Sequence, residues 1–349
     1  MNNEEKIMNE TIKDLIEISQ YAGSRADYTQ GGGGNTSVKN AEKDLMLIKA
    51  SGYRLKDINE KTAFVAVKRS AIANYYASVD TSVKKDYEKE SAEISKNSVM
   101  PIEGLATLRP SVEVGFHAVL KKYVIHTHSV YANILTCSNE GEALAKEIFS
   151  GKDFGFIFLP YINPGFELTL AMKNAIDEYV KNNGSYPEVI FMKNHGLVVT
   201  SDYLNRVISV NTAVNEAIMA RFNLADDFRA VTLKEVDGGF VSETPIVRTF
   251  VKENGLNKAF LDKYPLYPDQ LVYLNNILAH SPDTLVVNGE EVRYNTDIKQ
   301  ATTLEETLAA YLFVMETIRK AGLTVNTMSE KEVDFINNWE AEKYRRSVK

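Results

Sequence analysis

The stretch Tyr123-Val124-Ile125-His126-Thr127-His128-Ser129 constrains the fold of this chain more than any other. It reads as a short β-strand set between two helical patterns. Val114, Ala118 and Val119 share a helix face before it, and Val130, Ile134 and Leu135 share one after it. Along a strand, residues i and i+2 project from the same side, so His126 and His128 stand together. The chain has only five histidines, the others being His117, His195 and His280. His195 follows a second strand-like run, Val189 to Met192, within Lys193-Asn194-His195-Gly196-Leu197.

Further strand-like runs lie at Thr36–Lys39, Asp44–Ala50, Phe64–Val67 and Phe154–Leu159. Helical spacing of apolar residues recurs at 9–22, 166–182 and 205–222, while 81–99 is rich in Lys, Glu and Ser and reads as a solvated helix or loop. Strands alternating with helices in this way predict an α/β or mixed α+β fold. Beyond residue 225 the pattern changes. Gly238-Gly239, Pro245, Pro265 and Pro268 interrupt a segment without clear periodicity, which puts a boundary near 230–250. The chain then divides into a catalytic domain at 1–230 and a smaller C-terminal α/β extension at 231–349. In the extension, strands are expected at Gln270–Tyr273 and Thr284–Val287. A hairpin turn is expected at Asn288-Gly289, and a helix at 303–321 opened by a Thr303/Glu306 capping box and closed by Gly322.

The net charge of −7 argues against a general nucleic-acid binder. One cysteine, Cys137, allows no intrachain disulfide and fits a reducing compartment. The N-terminus has no signal-peptide core, and no apolar run approaches the roughly 18 residues that span a bilayer. These features predict a cytoplasmic protein without a membrane partner.

Three histidines with an open fourth position suit a catalytic metal. An isolated His-x-His pair also fits two strand histidines, one merely packed, and His195 alone also fits a turn. Glu113 opens a helix thirteen residues before His126. It can serve as ligand or general acid/base, or simply complement the helix dipole. Gly31 to Asn35 can present backbone N–H groups to an anion, but a four-glycine run is also an ordinary flexible loop. It is neither a Walker A loop nor a dinucleotide fingerprint. Ser51-Gly52 and Ser111 are further small donors of the kind that hold phosphate.

Taken in order, Gly34-Asn35-Thr36-Ser37, Lys49-Ala50-Ser51-Gly52, Pro110-Ser111-Val112-Glu113, His126-Thr127-His128 and Asn194-His195-Gly196-Leu197 resemble the class II aldolase/adducin family over residues 9–222. Gln30 to Ser37 and Trp339-Glu340-Ala341-Glu342-Lys343-Tyr344-Arg345 further resemble the longer members, akin to the aldolase part of rhamnulose-phosphate aldolase/dehydrogenase proteins. The resemblance implies a central β-sheet flanked by helices, and a homotetramer with active sites at subunit interfaces. It implies Zn2+, or another divalent metal, on His126, His128 and His195. Glu113 is then acid/base and an additional ligand, and Gly34, Asn35, Ser51, Gly52 and Ser111 hold the phosphate of a sugar or sugar-acid substrate. The implied reaction is aldol cleavage or formation in a ketose phosphate through a metal-stabilised enediolate. A 4-epimerase, decarboxylase or dehydratase would use the same centre, and a non-enzymatic adducin-like scaffold would lack it. Two departures from the family stand out: Val112 takes the place of a second serine, and the spacing from Glu113 to His126 is shorter. Arg109 is the candidate to replace the missing phosphate donor. Tyr161 is either a proton donor to a neighbouring subunit or a core tyrosine.

Overall fold

The structure is a computed structural model describing residues 3–225, 228 and 230–339. Eight strands form one sheet: β1 (Asn35–Asn40), β2 (Leu45–Lys49), β3 (Phe64–Lys68), β4 (Val99–Met100), β5 (Tyr123–Thr127), β6 (Gly155–Leu159), β7 (Pro187–Met192) and β8 (Gly196–Ser201). Their order is β4-β3-β2-β1-β5-β8-β7-β6. Every neighbouring pair is antiparallel except β6 and β7.

Both faces of this sheet are buried, so its strands are apolar runs rather than alternating ones. On one face Leu45, Leu47, Ile125, Phe191 and Val199 pack in a cluster with the helices Asn3–Gly23, Val130–Thr136 and Leu204–Arg221. On the other, Val124, Ile190 and Val198 meet Phe116, Leu168 and Met172, while Met46, Ile48 and Val65 meet Ile72, Val114 and Phe166. The parity switch from Leu45 to Met46 follows the strand period of two. The family-like mixed α/β architecture with a central sheet between helices matches the sequence expectation.

β8 stands where no separate strand was expected. Only Lys193, Asn194 and His195 separate it from β7, so the two strands form a tight hairpin with His195 in its turn. Asn194 takes the left-handed conformation there (φ 51°), one that Asn tolerates better than most residues.

After residue 230 a second sheet forms from β9 (Leu233–Val236), β10 (Gly239–Ser242), β11 (Leu285–Asn288) and β12 (Glu291–Tyr294), in the order β11-β12-β10-β9. The β11–β12 hairpin pairs Asn288 with Glu291, so its two-residue turn is Gly289-Glu290, one residue later than expected. The helix expected at 303–321 runs Ile298–Lys320. Asp297, not Thr303, is its N-cap and accepts a hydrogen bond from the Gln300 N–H. Thr303 and Glu306 therefore lie within the helix, where Glu306 faces a different task. Leu304, Leu308, Leu312, Met315 and Ile318 of this helix join the same apolar cluster as Leu15, Ile125 and Tyr131. Gln270–Asn275 is one π-helical turn rather than a strand. Gln270 is fully buried; its Oε1 accepts from the Leu266 N–H and its Nε2 donates to the Leu261 carbonyl. Those bonds hold the segment wound, and a four-residue apolar run does not by itself distinguish a strand from a buried helical turn.

Candidate metal centre

β5 lies between β1 and β8, with His126 opposite Asn35 on one side and Val198 on the other. His128 follows just past the end of β5, and the β7–β8 turn brings in His195. The three rings sit 4.9 to 5.3 Å apart, centroid to centroid. One nitrogen from each lies within 4.8 Å of the others. Glu113, at the start of the helix Val114–Val119, puts Oε1 3.2 Å from His195 Nε2 and Oε2 3.5 Å from His126 Nε2. All four side chains are buried.

The hydrogen bonds fix which nitrogens face inward. His126 Nδ1 is 3.0 Å from the Leu197 carbonyl, and His128 Nδ1 is 2.5 Å from Asp269 Oδ2. A carbonyl and a carboxylate accept, so both Nδ1 atoms carry a proton and both Nε2 atoms face inward. Those two Nε2 atoms are only 3.1 Å apart. Burial pushes the His126 imidazole down to about 3, against the opposing pull of Glu113, so it is neutral near pH 7. Two converging imidazole nitrogens, that of His126 on a neutral ring, form a donor set for a cation beside a buried carboxylate. The residues present fit a divalent metal.

Glu113 is itself held. Burial would raise its carboxyl, but the imidazoles around it, His126 foremost, outweigh that and keep it well below the ordinary carboxylate range. Asn35 Nδ2 donates to Glu113 Oε2 at 2.6 Å and to Ser111 Oγ at 3.0 Å. His117 Nε2 in turn meets Asn35 Oδ1, and its Nδ1 lies 2.7 Å from Ser37 Oγ. Burial lowers the His117 imidazole well below its usual value, so the ring is neutral and can donate to Asn35 through Nε2 while accepting from Ser37. His117 thus orients the amide that grips Glu113, a role the sequence did not suggest.

Gly34, Asn35, Ser51, Gly52 and Ser111 line one cavity with Glu113, His128 and His195. The antiparallel bridge between Ala50 and Pro110 joins the Ser51 and Ser111 stretches, with the Ser51 N–H donating to the Arg109 carbonyl and the Ser111 N–H to the Lys49 carbonyl. Lys49 brings the cavity a cation, and its Nζ donates to the Gly32 carbonyl at 3.2 Å. The Arg109 side chain is exposed and is not among the lining residues. Tyr161 also lies outside the lining of its own chain's cavity; it packs with Leu271, Val272, Met328 and Ile336.

The glycine loop differs from the expected anion cradle. The Gly31 N–H donates to Glu306 Oε2 at 2.9 Å, the Gly32 N–H to Tyr273 Oη at 3.3 Å and the Gly33 N–H to the Gln30 carbonyl at 2.9 Å. Three donors that could have faced a ligand already have partners, two of them from beyond residue 230. Gly34 takes φ 67°, and a Cβ there would stand 2.7 Å from the His126 carbonyl. The loop is closely packed against β5 rather than slack.

The segment after 230 reaches the centre directly. Pro268, Asp269 and Trp339 line the cavity, and Asn194 beside His195 is tied to that segment. Asn194 Nδ2 donates to the Leu266 and Asn326 carbonyls at 2.8 and 2.9 Å, and its Oδ1 accepts from Asn326 Nδ2 at 2.7 Å. Sequence reading found no role for Asp269, since it lies 141 residues from its histidine partner. Of the Trp339–Arg345 motif, only Trp339 falls within the described residues.

Fold and site together describe a mixed α/β protein carrying a buried three-histidine, one-carboxylate cluster at the edge of a polar cavity. Residues 13–221 match the Class II Aldolase and Adducin N-terminal domain family, and the chain belongs to that family. It is similar to the uncharacterized oxidoreductase YuxG of Bacillus subtilis (strain 168), with 28% identity over 288 residues, 77% of this chain and 38% of that protein. The chain therefore spans well under half the length of that curated relative. The N-terminal class II aldolase domain of a conserved protein from Thermoplasma acidophilum superposes with a TM-score of 0.50 at 24% identity, covering 60% of this chain and 92% of its own. An L-fuculose 1-phosphate aldolase from Glaciozyma antarctica PI12 covers 90% of this chain and 91% of its own, at a TM-score of 0.38 and 11% identity. No helix among the described residues is long and apolar enough to cross a membrane.

Proposed function

We propose that the protein is a zinc-dependent aldolase-type lyase that cleaves or forms a C–C bond in a ketose phosphate. The observation that carries this reading is the pair of converging, inward-facing Nε2 atoms of His126 and His128, gathered with His195 and Glu113 beside a polar cavity. His126, His128 and His195 would hold the Zn2+, with Glu113 able to join them. Once bound, the metal supplies positive charge where anionic charge develops on the substrate oxygens during cleavage.

The remaining work falls to this chain's own side chains. Glu113, ionised and held by Asn35, moves a proton at the carbon or hydroxyl beside the substrate carbonyl. Ser51, Gly52, Ser111 and Asn35 receive the phosphate, with Lys49 as counter-charge. Binding the phosphate away from the reacting carbons turns binding energy into positioning. The burial of all four cluster residues keeps bulk water from the reacting carbons. In the homotetramer that the family resemblance implies, Tyr161 would serve a neighbouring subunit's cavity rather than its own.

The test is a screen of ketose phosphates and phosphorylated sugar acids for turnover that a chelator abolishes and Zn2+ restores, with Glu113→Gln and His128→Ala alongside. An aldehyde and a three-carbon ketone phosphate as products support the lyase. An isomeric sugar phosphate would instead mark an epimerase on the same centre. Full activity in His128→Ala would refute the site.

A further inference from the structure

A histidine that ligates a metal through one ring nitrogen is oriented by whatever accepts the proton on the other. The three histidines here are served unequally. His126 uses the Leu197 carbonyl of its neighbouring strand, a partner the sheet supplies automatically. His195 Nδ1 is buried without a hydrogen-bond partner among the described residues. His128 lies past the end of its strand, where no ladder carbonyl reaches it, and its Nδ1 meets Asp269 Oδ2 at 2.5 Å. Asp269 is 1% exposed.

We propose that Asp269 is a positioning residue of the metal centre. Contributed by the segment after residue 230, it locks His128 as the Nδ1–H form with Nε2 aimed at the metal position. It acts through His128 and not as a ligand, because it faces the ring nitrogen opposite the one that meets His126 Nε2. The inference rests on the metal-binding reading above.

Two independent features support it. The first is how Asp269 is held. It stands between Pro268 and the π-helical turn, and Gln270 fastens that turn to Leu261 and Leu266. The Leu266 carbonyl also accepts from Asn194, next to His195. One short stretch, 266–270, therefore reaches His128 and the residue beside His195. The second is the space made for the pair. Gly33 has no positive φ, yet a Cβ built there would collide with both Asp269 Oδ2 and His128 Nδ1. Glycine at 33 serves room rather than backbone freedom, and the room it leaves is filled by this hydrogen bond.

The experiment titrates Zn2+ into the metal-free full chain against a competing chelator, for wild type, Asp269→Ala, Asp269→Asn and Gly33→Ala. Loss of a carboxylate behind a ligating histidine typically weakens metal binding about 10- to 100-fold, and that is the expectation for Asp269→Ala. Asp269→Asn keeps an acceptor oxygen for Nδ1–H and should stay within a few-fold of wild type. Gly33→Ala, which alters neither partner, should weaken binding in the same direction as Asp269→Ala. Hydrogen exchange supplies a readout that a merely structural aspartate would not move. Zn2+ should slow exchange across 265–275 in wild type and in Asp269→Asn, but not in Asp269→Ala. Melting in chelator checks the fold: should Asp269→Ala prove unfolded, Asp269→Asn and Gly33→Ala still decide the matter. Wild-type affinity in Asp269→Ala overturns the proposal, as does an Asn variant as weak as the Ala variant. A wild-type chain that binds no Zn2+ overturns the metal reading and this inference with it, a result distinct from the other two.

Discussion

The eight-stranded sheet and the segment after residue 230 contribute to the same centre in different ways. The sheet supplies the proposed metal ligands, placed by strand period and register: His126 opposite Asn35, His128 two residues on, His195 in the β7–β8 turn. The later segment supplies none of them. It supplies what holds them, through Asp269 on His128, Leu266 and Asn326 on Asn194, and Glu306 and Tyr273 on the glycine loop. Ligand placement is thus a matter of local pattern, whereas the orientation of His128 comes from a distant contact.

Substitutions should separate the two contributions, and the largest effect belongs to the sheet. His126→Ala removes a ligand and should lower chelator-sensitive turnover by about 10³-fold or more, since a catalytic metal needs its full protein set. Retained turnover would mean the sheet does not carry the ligands. Next comes the anchor of the later segment. Glu306 pairs with Arg54 and also accepts from the Gly31 N–H, with both charged side chains largely buried. Glu306→Ala leaves that cation and N–H without their acceptor and should cost about 3–5 kcal/mol in a urea melt. A change near zero would mean that Glu306 does not help to join the two regions.

Acidity gives a smaller, graded effect. His126 in the folded chain is held down to about 3 by burial, against 6.5 for the ordinary group, and burial lowers His117 as well. The unfolded chain therefore takes up protons that the folded one refuses. The stability from keeping each ring neutral is complete above pH 6.5. It is lost as the pH falls below that value, at up to about 1.4 kcal/mol per pH unit for each ring. Metal-free protein at pH 5.5 should have a lower urea midpoint than at pH 7, and an equal or higher midpoint would contradict the buried, neutral assignment. Ser111→Ala should raise KM for a phosphorylated substrate about tenfold with little change in kcat. Arg109→Ala, at an exposed side chain outside the cavity, should raise it by less.

The legibility of the sequence follows the same division. His126 and His128 could be paired from the period of a strand alone, and Glu113, Ser51 and Ser111 stood in short local motifs that recurred in family order. The structure brings His128, Glu113, Ser51 and Ser111 to one cavity, with His126 against Glu113 and His128 behind its lining. Asp269 gave no such signal. It sits in a proline-interrupted stretch, and its meaning depends on a histidine 141 residues away. Glu306 was misread for a related reason. A Thr-x-x-Glu spacing signals a helix start only where the helix starts, and Asp297 had already capped this one. Gln270–Tyr273 failed because its winding depends on the Gln270 side chain finding Leu261 and Leu266, which no periodicity encodes.

The hydrogen bond between His128 and Asp269 has a consequence for the order of assembly. During synthesis the strands that present the histidines emerge and can pair well before residue 269 exists. Until it does, His128 is free to turn its ring and offer the wrong nitrogen. On the proposed metal reading, high-affinity metal capture would become a late checkpoint in the life of the nascent chain, and zinc uptake would report that the polypeptide has been read through to its roofing segment and has closed over its own centre.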